Sequence, residues 1–410
     1  MNSERSVLKI EPGNYRNKVS MPFSKSYANR ALAIAALTPG EFKVQNIASS
    51  SDVKKMVELL KKIGLDLIEE ADCITIKNSF PECEISSDEV IRLETGDGGT
   101  TNRILLGILS RGKNTYELIS TEKFKDRPNQ EGFNILEKLG VITYLPGNLE
   151  PSWIRFQGPA KPISELEVNC EETTQFYTAF KVYELLDEIN VKPTNLKTSK
   201  KYVAITDALV HHARENNEIK IPIDFSSASY PIVFGSVKNE ITIENCDQID
   251  SLQADSAVID IVNRAGGSVH LKEGVGLVIK PSKLVGFEVD CSDFPDLVPS
   301  LVFLALNSSG KSILRNVSVL RHKESDRLEE ILRITELIGA QVLLDSALDE
   351  LIVHGDFCLE DEVSFNLPAD HRMIMLAAMI LRAYGITGEV DNTNHVKKSY
   401  PNFFEDLTDL

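Results

Sequence analysis

Lysine and arginine recur in this chain where helix electrostatics disfavours them. The stretch "SKSYANRALAIAAL", from Ser24 to Leu37, opens an apolar helix with Ser24, Lys25, Ser26 and Arg30, although capping needs a single hydroxyl. "GTTNRILLGIL" brings Thr100 and Arg103 behind the glycine-rich "TGDGG", "TTQFYTAF" brings Thr173, Thr174 and Gln175, and "DHRMIMLAAMIL" brings Arg372. A helix N-terminus already carries about half a positive charge and unsatisfied N–H groups. Lys25, Arg103 and Arg372 in first turns therefore cost about 0.3–1 kcal/mol each unless an anion compensates. N–H groups, hydroxyls and cations gathered at helix openings are the chemistry of phosphate and carboxylate binding. Each motif has a blander reading on its own. "KESDRLEE" is a solvated helix start with Glu324 and Arg327 paired at i, i+3, and "DHR" is an N-cap aspartate with polar neighbours. Lys398 is a surface lysine, Gly99 a turn glycine, and the hydroxyls of "TTQ" are caps. Their joint occurrence at equivalent points of one repeat is what points to a ligand.

That repeat is carried by six apolar helical stretches, opening near Ser24, Gly99, Thr173, Ser226, Phe294 and Asp370. A second helix follows several of them and closes on glycine before a short apolar strand: "LLKKIGLDLI", "ILEKLGVITY", "IVNRAGGSVHL" and "ITELIGAQVLL", with terminators Gly64, Gly140, Gly266 and Gly339. Opening residue and glycine lie about 40 residues apart in four of the six units. The unit reads strand, helix, strand, helix, strands, the third lacking the glycine and the sixth cut short. The class is therefore α/β. Six units divide into two domains of three, 22–223 and 1–21 plus 224–410, with "IPIDFSSASY" near Asp224 as the seam.

Composition limits what such a protein does. The chain has 410 residues, 42% of them hydrophobic and 26% charged, in the range of globular domains. A net charge of −17 repels nucleic acid and anionic lipid, so an anionic ligand needs a local basic pocket. The longest apolar runs fall short of the roughly 20 residues that span a bilayer, and "MNSERSVLKI" lacks a signal-peptide core, which places the chain in the cytoplasm. Cys73, Cys83, Cys170, Cys246, Cys291 and Cys358 form no CxxC pair, and the histidines show no HExxH spacing, so neither a disulfide framework nor a metal site is expected.

Nine motifs in order, from residue 24 to 404, resemble those of the enolpyruvyl transferases. "SKSYANRAL" resembles SKSxSNRAL, "GDGGTTNR" GNAGTxxR, "RP" at Arg127 RP(I/M), "TTQF" SSQ(F/Y), and "DFSSASY" D(A/I)SSASY. "FPDLVP" resembles (I/F)PDxxP, "KESDRL" KE(S/T)DRL, "DHRMIM" DHRMAM, and "KKSYPNFF" xK(S/T)(F/Y)PxFF. Within the family the likeness is to the branch that transfers the enolpyruvyl group of phosphoenolpyruvate to the 5-hydroxyl of shikimate 3-phosphate, on the route to chorismate and the aromatic amino acids. The resemblance implies a two-domain enolpyruvyl transferase fold, an inside-out α/β barrel of six βαβαββ units, three per domain. It also implies an interdomain cleft, no metal or cofactor, a monomer, and inhibition by glyphosate in competition with phosphoenolpyruvate.

Residue by residue, the resemblance assigns Lys25, Gly99, Arg127, Gln175, Glu324, Arg327, Arg372 and Lys398 to phosphoenolpyruvate. Ser26, Arg30, Thr173, Thr174, Gln175, Ser199, Tyr202, Asp296 and Lys323 fall to shikimate 3-phosphate, and Arg103 to the shared pocket. Asp296 is the expected base for the 5-hydroxyl, and Glu324, helped by Lys25 and Lys398, the expected proton carrier. Both substrates are multiply anionic, and each charge pair at about 4 Å contributes on the order of 4 kcal/mol at an effective dielectric near 20.

The chain departs from the pattern at Phe23, where glycine is usual, at Asp97 in place of asparagine, at Thr173 and Thr174 in place of serines, and at Ile104, where proline is frequent. Asp97 adds negative charge near a carboxylate-binding pocket. Two other readings stay open. A UDP-N-acetylglucosamine enolpyruvyl transferase typically carries a reactive cysteine in the loop before the arginine segment, which here reads "STEKFKDRP". A catalytically inactive anion-binding paralogue has Asp97 and Phe23 in its favour, and Asp296, Glu324, Lys25 and Lys398 against it.

Overall fold

The computed structural model describes residues 6–47, 50–144, 152–355, 362–385 and 387–408; Cys358 lies outside them. Contacts divide the chain into two compact units, Phe23–Pro222, and Met1–Pro22 with Ile223–Leu410.

The six opening stretches become helices or helical turns, three in each unit. In the first unit they are Lys25–Leu37, Gly99–Leu109 and Gln175–Lys181. In the second they are Phe225–Val237, Val298–Leu306 (entered through the 3-10 turn Pro295–Leu297) and His371–Tyr384. Their sequences are apolar on nearly every side, which is the pattern of a helix surrounded by protein. Accordingly, Lys25–Leu37 is buried from Tyr27 onward and Val298–Leu306 along its whole length. Within each unit these helices pack on one another. Gly107 permits one of these approaches, because a Cβ there would lie 2.2 Å from the Ala179 carbonyl oxygen. In the second unit Phe234 stacks on Phe303, with ring centroids 5.8 Å apart.

The second helices, Ser51–Lys62, Gln130–Lys138, Ala257–Arg264 and Arg327–Leu337, bury one face only. Each terminates in the same way. Gly64, Gly140, Gly266 and Gly339 stand two residues beyond the last helical residue at φ 101°, 64°, 91° and 72°. The N–H groups of each glycine and its successor return to the final turn, as in Gly140 to Glu137 O and Val141 to Leu136 O, both 2.9 Å.

Four sheets share one strand order, a parallel pair and then two antiparallel strands, and in two of them the parallel pair flanks an opening helix. Ile91–Glu94 runs parallel to Thr115–Ile119, which pairs with Ser152–Gln157 and then Ile142–Tyr144. Glu288–Asp290, Lys311–Arg315, Glu350–His354 and Val342–Asp345 repeat the order. In the other two the first strand comes from a distant part of the chain. Glu218–Lys220 completes the sheet of Phe42–Gln45, and Lys18–Val19 that of Ile241–Ile243. The third and sixth sheets are reduced to Glu165–Asn169 with Asn190–Thr194, and to Glu362–Phe365, Thr387–Val390 and Leu8–Ile10. Within each unit the opening helices are buried and the sheets reach the surface, with Ile68, Ile142, Leu271 and Leu343 exposed on the last strand of each four-stranded sheet.

Candidate active site

The residues singled out from the sequence fall into two groups, one in each unit. In Phe23–Pro222, Ser24 is the cap, accepting from the Tyr27 N–H, and this releases its neighbours for other work. Lys25 lies 3.1 Å from the Asp52 carboxylate. Arg30 is buried and, among the described residues, its hydrogen bonds run to neutral oxygens: Thr206 Oγ1 at 3.0 Å, Thr178 Oγ1 at 3.2 Å and the Ser26 carbonyl at 2.8 Å. Its guanidinium stands over the Tyr202 ring, 5.4 Å from the centroid. Burial lowers the Arg30 pKa to about 10, against the pull of Tyr202 and Tyr27, so it remains a cation at neutral pH. Ser199 precedes the Lys200–Ala213 helix in a left-handed conformation, φ 57°, a backbone state that costs a non-glycine residue on the order of 1 kcal/mol and is concentrated at functional sites.

Arg103 lies in the second turn of its helix, not the first, because the helix begins at Gly99. It too is ringed by neutral acceptors: Gln175 Oε1 at 2.5 Å, the Pro128 carbonyl at 2.8 Å and Asn129 Oδ1 at 3.1 Å. Gln175 in turn donates to Thr100 Oγ1 at 3.0 Å, which ties the second and third openings together. Burial, and then the neighbouring Arg127, push Arg103 down to about 9. Gly99 has no positive φ, and a Cβ built on it would lie 2.7 Å from Arg127 Nη1 and 2.9 Å from its Cζ. Its missing side chain therefore makes room for the Arg127 guanidinium, whose Nε is buried without a hydrogen-bond partner among the described residues. Thr173 accepts from the Gln175 N–H at 3.2 Å, and Thr174 occupies the cap position, buried. In this unit the hydrogen bonds of Arg30 and Arg103 thus run to uncharged oxygens, Lys25 pairs with Asp52, and Arg127 and Glu172 are the charges that act on Arg103.

The second unit is built differently. Arg327, 1% exposed, spreads three of its N–H directions over three carboxylates: Nε to Asp370 at 2.8 Å, Nη1 to Asp296 at 2.9 Å and Nη2 to Glu324 at 2.7 Å. The i, i+3 pair read in "KESDRLEE" is present, and it is one arm of this fork. Lys398 Nζ lies 3.7 Å from the other Glu324 oxygen, and Lys323 Nζ 3.4 Å from Asp296. Arg372 Nη2 reaches Ser226 Oγ at 2.6 Å and Asp296 Oδ2 at 3.4 Å. Arg372 Nε and Nη1 are buried with no hydrogen-bond partner among the described residues, so this cation retains donors for an anion. Burial alone would raise the Asp296 pKa; Arg372, Lys323 and Arg327 outweigh it and hold the group well below the usual carboxylate range. Burial would lower Arg327, but Asp370, Glu324 and Asp296 raise it. An ionised acceptor, Asp296, and a carboxylate–ammonium pair, Glu324 with Lys398, are thereby fixed on one guanidinium.

Sequence reasoning missed the supporting acids. Asp370 accepts from the Arg372 N–H as the helix cap while its second oxygen holds Arg327. Asp52 sits in the first turn of Ser51–Lys62, where an acid also suits the helix dipole. Both carry the signature of an ordinary helix start. The loop before Arg127 contains the single helical turn Glu122–Lys125 and no cysteine. Burial raises the Cys170 and Cys246 thiols to about 11, away from reactive values.

Comparison with known proteins bears on the family and the fold. The profile of the family described as EPSP synthase (3-phosphoshikimate 1-carboxyvinyltransferase) matches residues 10–209 and 195–407. The 3-phosphoshikimate 1-carboxyvinyltransferase of Clostridium novyi (strain NT) is 30% identical over 431 residues, covering 98% of this chain and 96% of that protein. The one from Pyrococcus furiosus is 29% identical over 422 residues, covering 97% and 98%. An EPSP synthase structure from Acinetobacter baumannii superposes with a TM-score of 0.75 at 20% identity, covering 98% and 97% of the two chains. The enolpyruvyl transferase NikO from Streptomyces tendae gives 0.73 at 14% identity, covering 99% and 97%. The fold is therefore the two-domain α/β fold of the enolpyruvyl transferases, and the chain belongs to the EPSP synthase (3-phosphoshikimate 1-carboxyvinyltransferase) family.

Proposed function

We propose that the chain transfers the enolpyruvyl group of phosphoenolpyruvate to the 5-hydroxyl of shikimate 3-phosphate, releasing phosphate, as a step in chorismate and aromatic amino acid biosynthesis. The observation that carries the reading is the Arg327 fork, which holds Asp296 and the Glu324–Lys398 pair in one rigid frame. Asp296 accepts the proton of the 5-hydroxyl as that oxygen bonds to C2 of phosphoenolpyruvate. The Glu324–Lys398 pair delivers a proton to the methylene carbon, the Lys398 ammonium supplying it through the Glu324 carboxylate. The tetrahedral adduct then returns a proton from that carbon as the C–O bond to phosphate breaks, and the double bond reforms. Because its cations lower its proton affinity, Asp296 stays ionised and aligns the hydroxyl until the new C–O bond makes that oxygen acidic, and it then passes the proton to the departing phosphate.

Lys25, Arg127, Gln175, Arg327, Arg372 and Lys398 hold the phosphate and carboxylate of phosphoenolpyruvate, with Arg103 beside them. Ser26, Arg30, Thr173, Thr174, Ser199, Tyr202 and Lys323 hold shikimate 3-phosphate. The buried guanidinium of Arg30, ringed by hydroxyls, supports that assignment. Fixed cations already in place when charge develops stabilise the adduct without reorganisation. Asp296→Ala and Glu324→Ala should each lower kcat by about 10²–10⁴, while calorimetry still registers shikimate 3-phosphate binding. Near-normal turnover in either variant removes that residue from the mechanism. The same reading makes the protein a cytoplasmic monomer; among the described residues no helix is long and apolar enough to cross a membrane. Light scattering on an eluted peak tests it against the chain mass of 45.6 kDa.

A further inference from the structure

Asp255 has no part in the mechanism above, yet the chain fixes it firmly beside the cation that retains free donors. Gln253 clamps its segment to the start of the Phe225–Val237 helix. Its Oε1 accepts from the Phe225 N–H at 3.0 Å, and its Nε2 donates to the Ile223 carbonyl at 2.8 Å and to Asp250 at 3.1 Å. The short turn Ala254–Ser256 is thereby held so that Asp255, 5% exposed, lies next to Ser226. Asp255 Oδ1 is buried with no hydrogen-bond partner among the described residues. Arg372 Nη2 donates to the Ser226 hydroxyl at 2.6 Å. A hydroxyl that accepts from a guanidinium keeps its own proton for another acceptor.

The charged groups facing Asp255 come from three elements: Asp296 from the turn Pro295–Leu297, Arg372 from His371–Tyr384, and Asp224 from the cap of Phe225–Val237. Burial first, and then Asp296, raise the Asp255 pKa, while Arg372 and Ser226 lower it; the balance is about 7. The group therefore changes charge in the physiological range.

We propose that Asp255 is a positioning residue which acts through Ser226 on Arg372, and that its charge sets how strongly Arg372 holds an anionic ligand. The proposal rests on the reading of Arg372 as a phosphoenolpyruvate ligand. When Asp255 is ionised, part of the Arg372 field is spent on it, and Ser226 is drawn toward the carboxylate. When Asp255 is neutral, the guanidinium faces the ligand less compensated. By linkage, an anion bound at Arg372 must raise the proton affinity of Asp255 by the same factor.

The test is the Michaelis constant for phosphoenolpyruvate between pH 5.5 and 8.5 in wild type and Asp255→Asn, with thermal melting recorded for both. Phosphoenolpyruvate titrates identically in the two series, so the ratio of the constants isolates Asp255. The ratio, wild type over variant, should climb about five-fold or more as pH rises through about 7, with kcat changing much less. A flat ratio overturns the proposal. If Asp255→Asn does not fold, Ser226→Ala is measured instead; a smaller pH step than in wild type supports the bridge, and an unchanged step overturns it. Arg372→Gln separates the underlying reading, because it should weaken phosphoenolpyruvate at every pH. Unchanged affinity in Arg372→Gln would refute the ligand assignment itself.

Discussion

Gly99 and Arg127 share one volume, and this settles what a methyl group at residue 99 would do. With the Cβ 2.7 Å from Arg127 Nη1, Gly99→Ala must push the guanidinium aside, which a flexible side chain does at little cost to folding. The variant should melt like wild type, raise the Michaelis constant for phosphoenolpyruvate about ten-fold, and lose most of its inhibition by glyphosate. Normal inhibition in a normally melting variant would show that the position of Arg127 does not matter to the inhibitor. Asp296 supports a second prediction. Its pKa is depressed in the folded state, so its contribution to stability is fully present above the unfolded value near 4 and is lost as pH falls toward the folded one. In urea titrations the stability advantage of wild type over Asp296→Asn should shrink below about pH 4; an advantage that grows there contradicts the ion-pair reading. Lys25 and Arg372 were legible in the sequence because each stands in a first helical turn against the dipole, whereas Arg127, Lys323 and Lys398 carried no such anomaly. Asp52, Asp255 and Asp370 were not legible, since an acid at a helix start satisfies ordinary capping and leaves no anomaly to notice.

At the level of elements, the glycine terminators announced themselves because the left-handed backbone after a helix leaves few other choices of residue. Gly64 is also crowded, since a Cβ there would lie 2.6 Å from the Cys83 carbonyl oxygen, whereas Gly40, at φ 88°, has nothing within 4 Å. Alanine at Gly40 should cost only the backbone strain, about 1 kcal/mol, and alanine at Gly64 about 2 kcal/mol or more. Equal midpoints for the two variants in urea would mean that the carbonyl contact carries no weight. The sheets were harder to read than the helices. Strands as short as Lys18–Val19 or Glu218–Lys220 carry no usable alternation, and each joins a sheet whose other strands lie elsewhere in the chain. Arg103 was placed a turn too early because "TGDGGTT" gives no sharp signal for which residue begins the helix.

Over the whole molecule, the chain carries 61 acidic residues against 44 lysines and arginines, yet concentrates Lys25, Arg30, Arg103 and Arg127 in one unit. The acid–base frame of Asp296, Glu324, Arg327 and Lys398 belongs to the other. The roles proposed above draw on residues of both units. The identity of the acceptor is what separates the proposed function from its nearest rival. The direct measurement is phosphate release from phosphoenolpyruvate by the intact protein, with shikimate 3-phosphate and UDP-N-acetylglucosamine offered in separate reactions. Release should depend on shikimate 3-phosphate and stay at background with the sugar nucleotide; release driven by the sugar nucleotide, or by neither acceptor, would contradict the account.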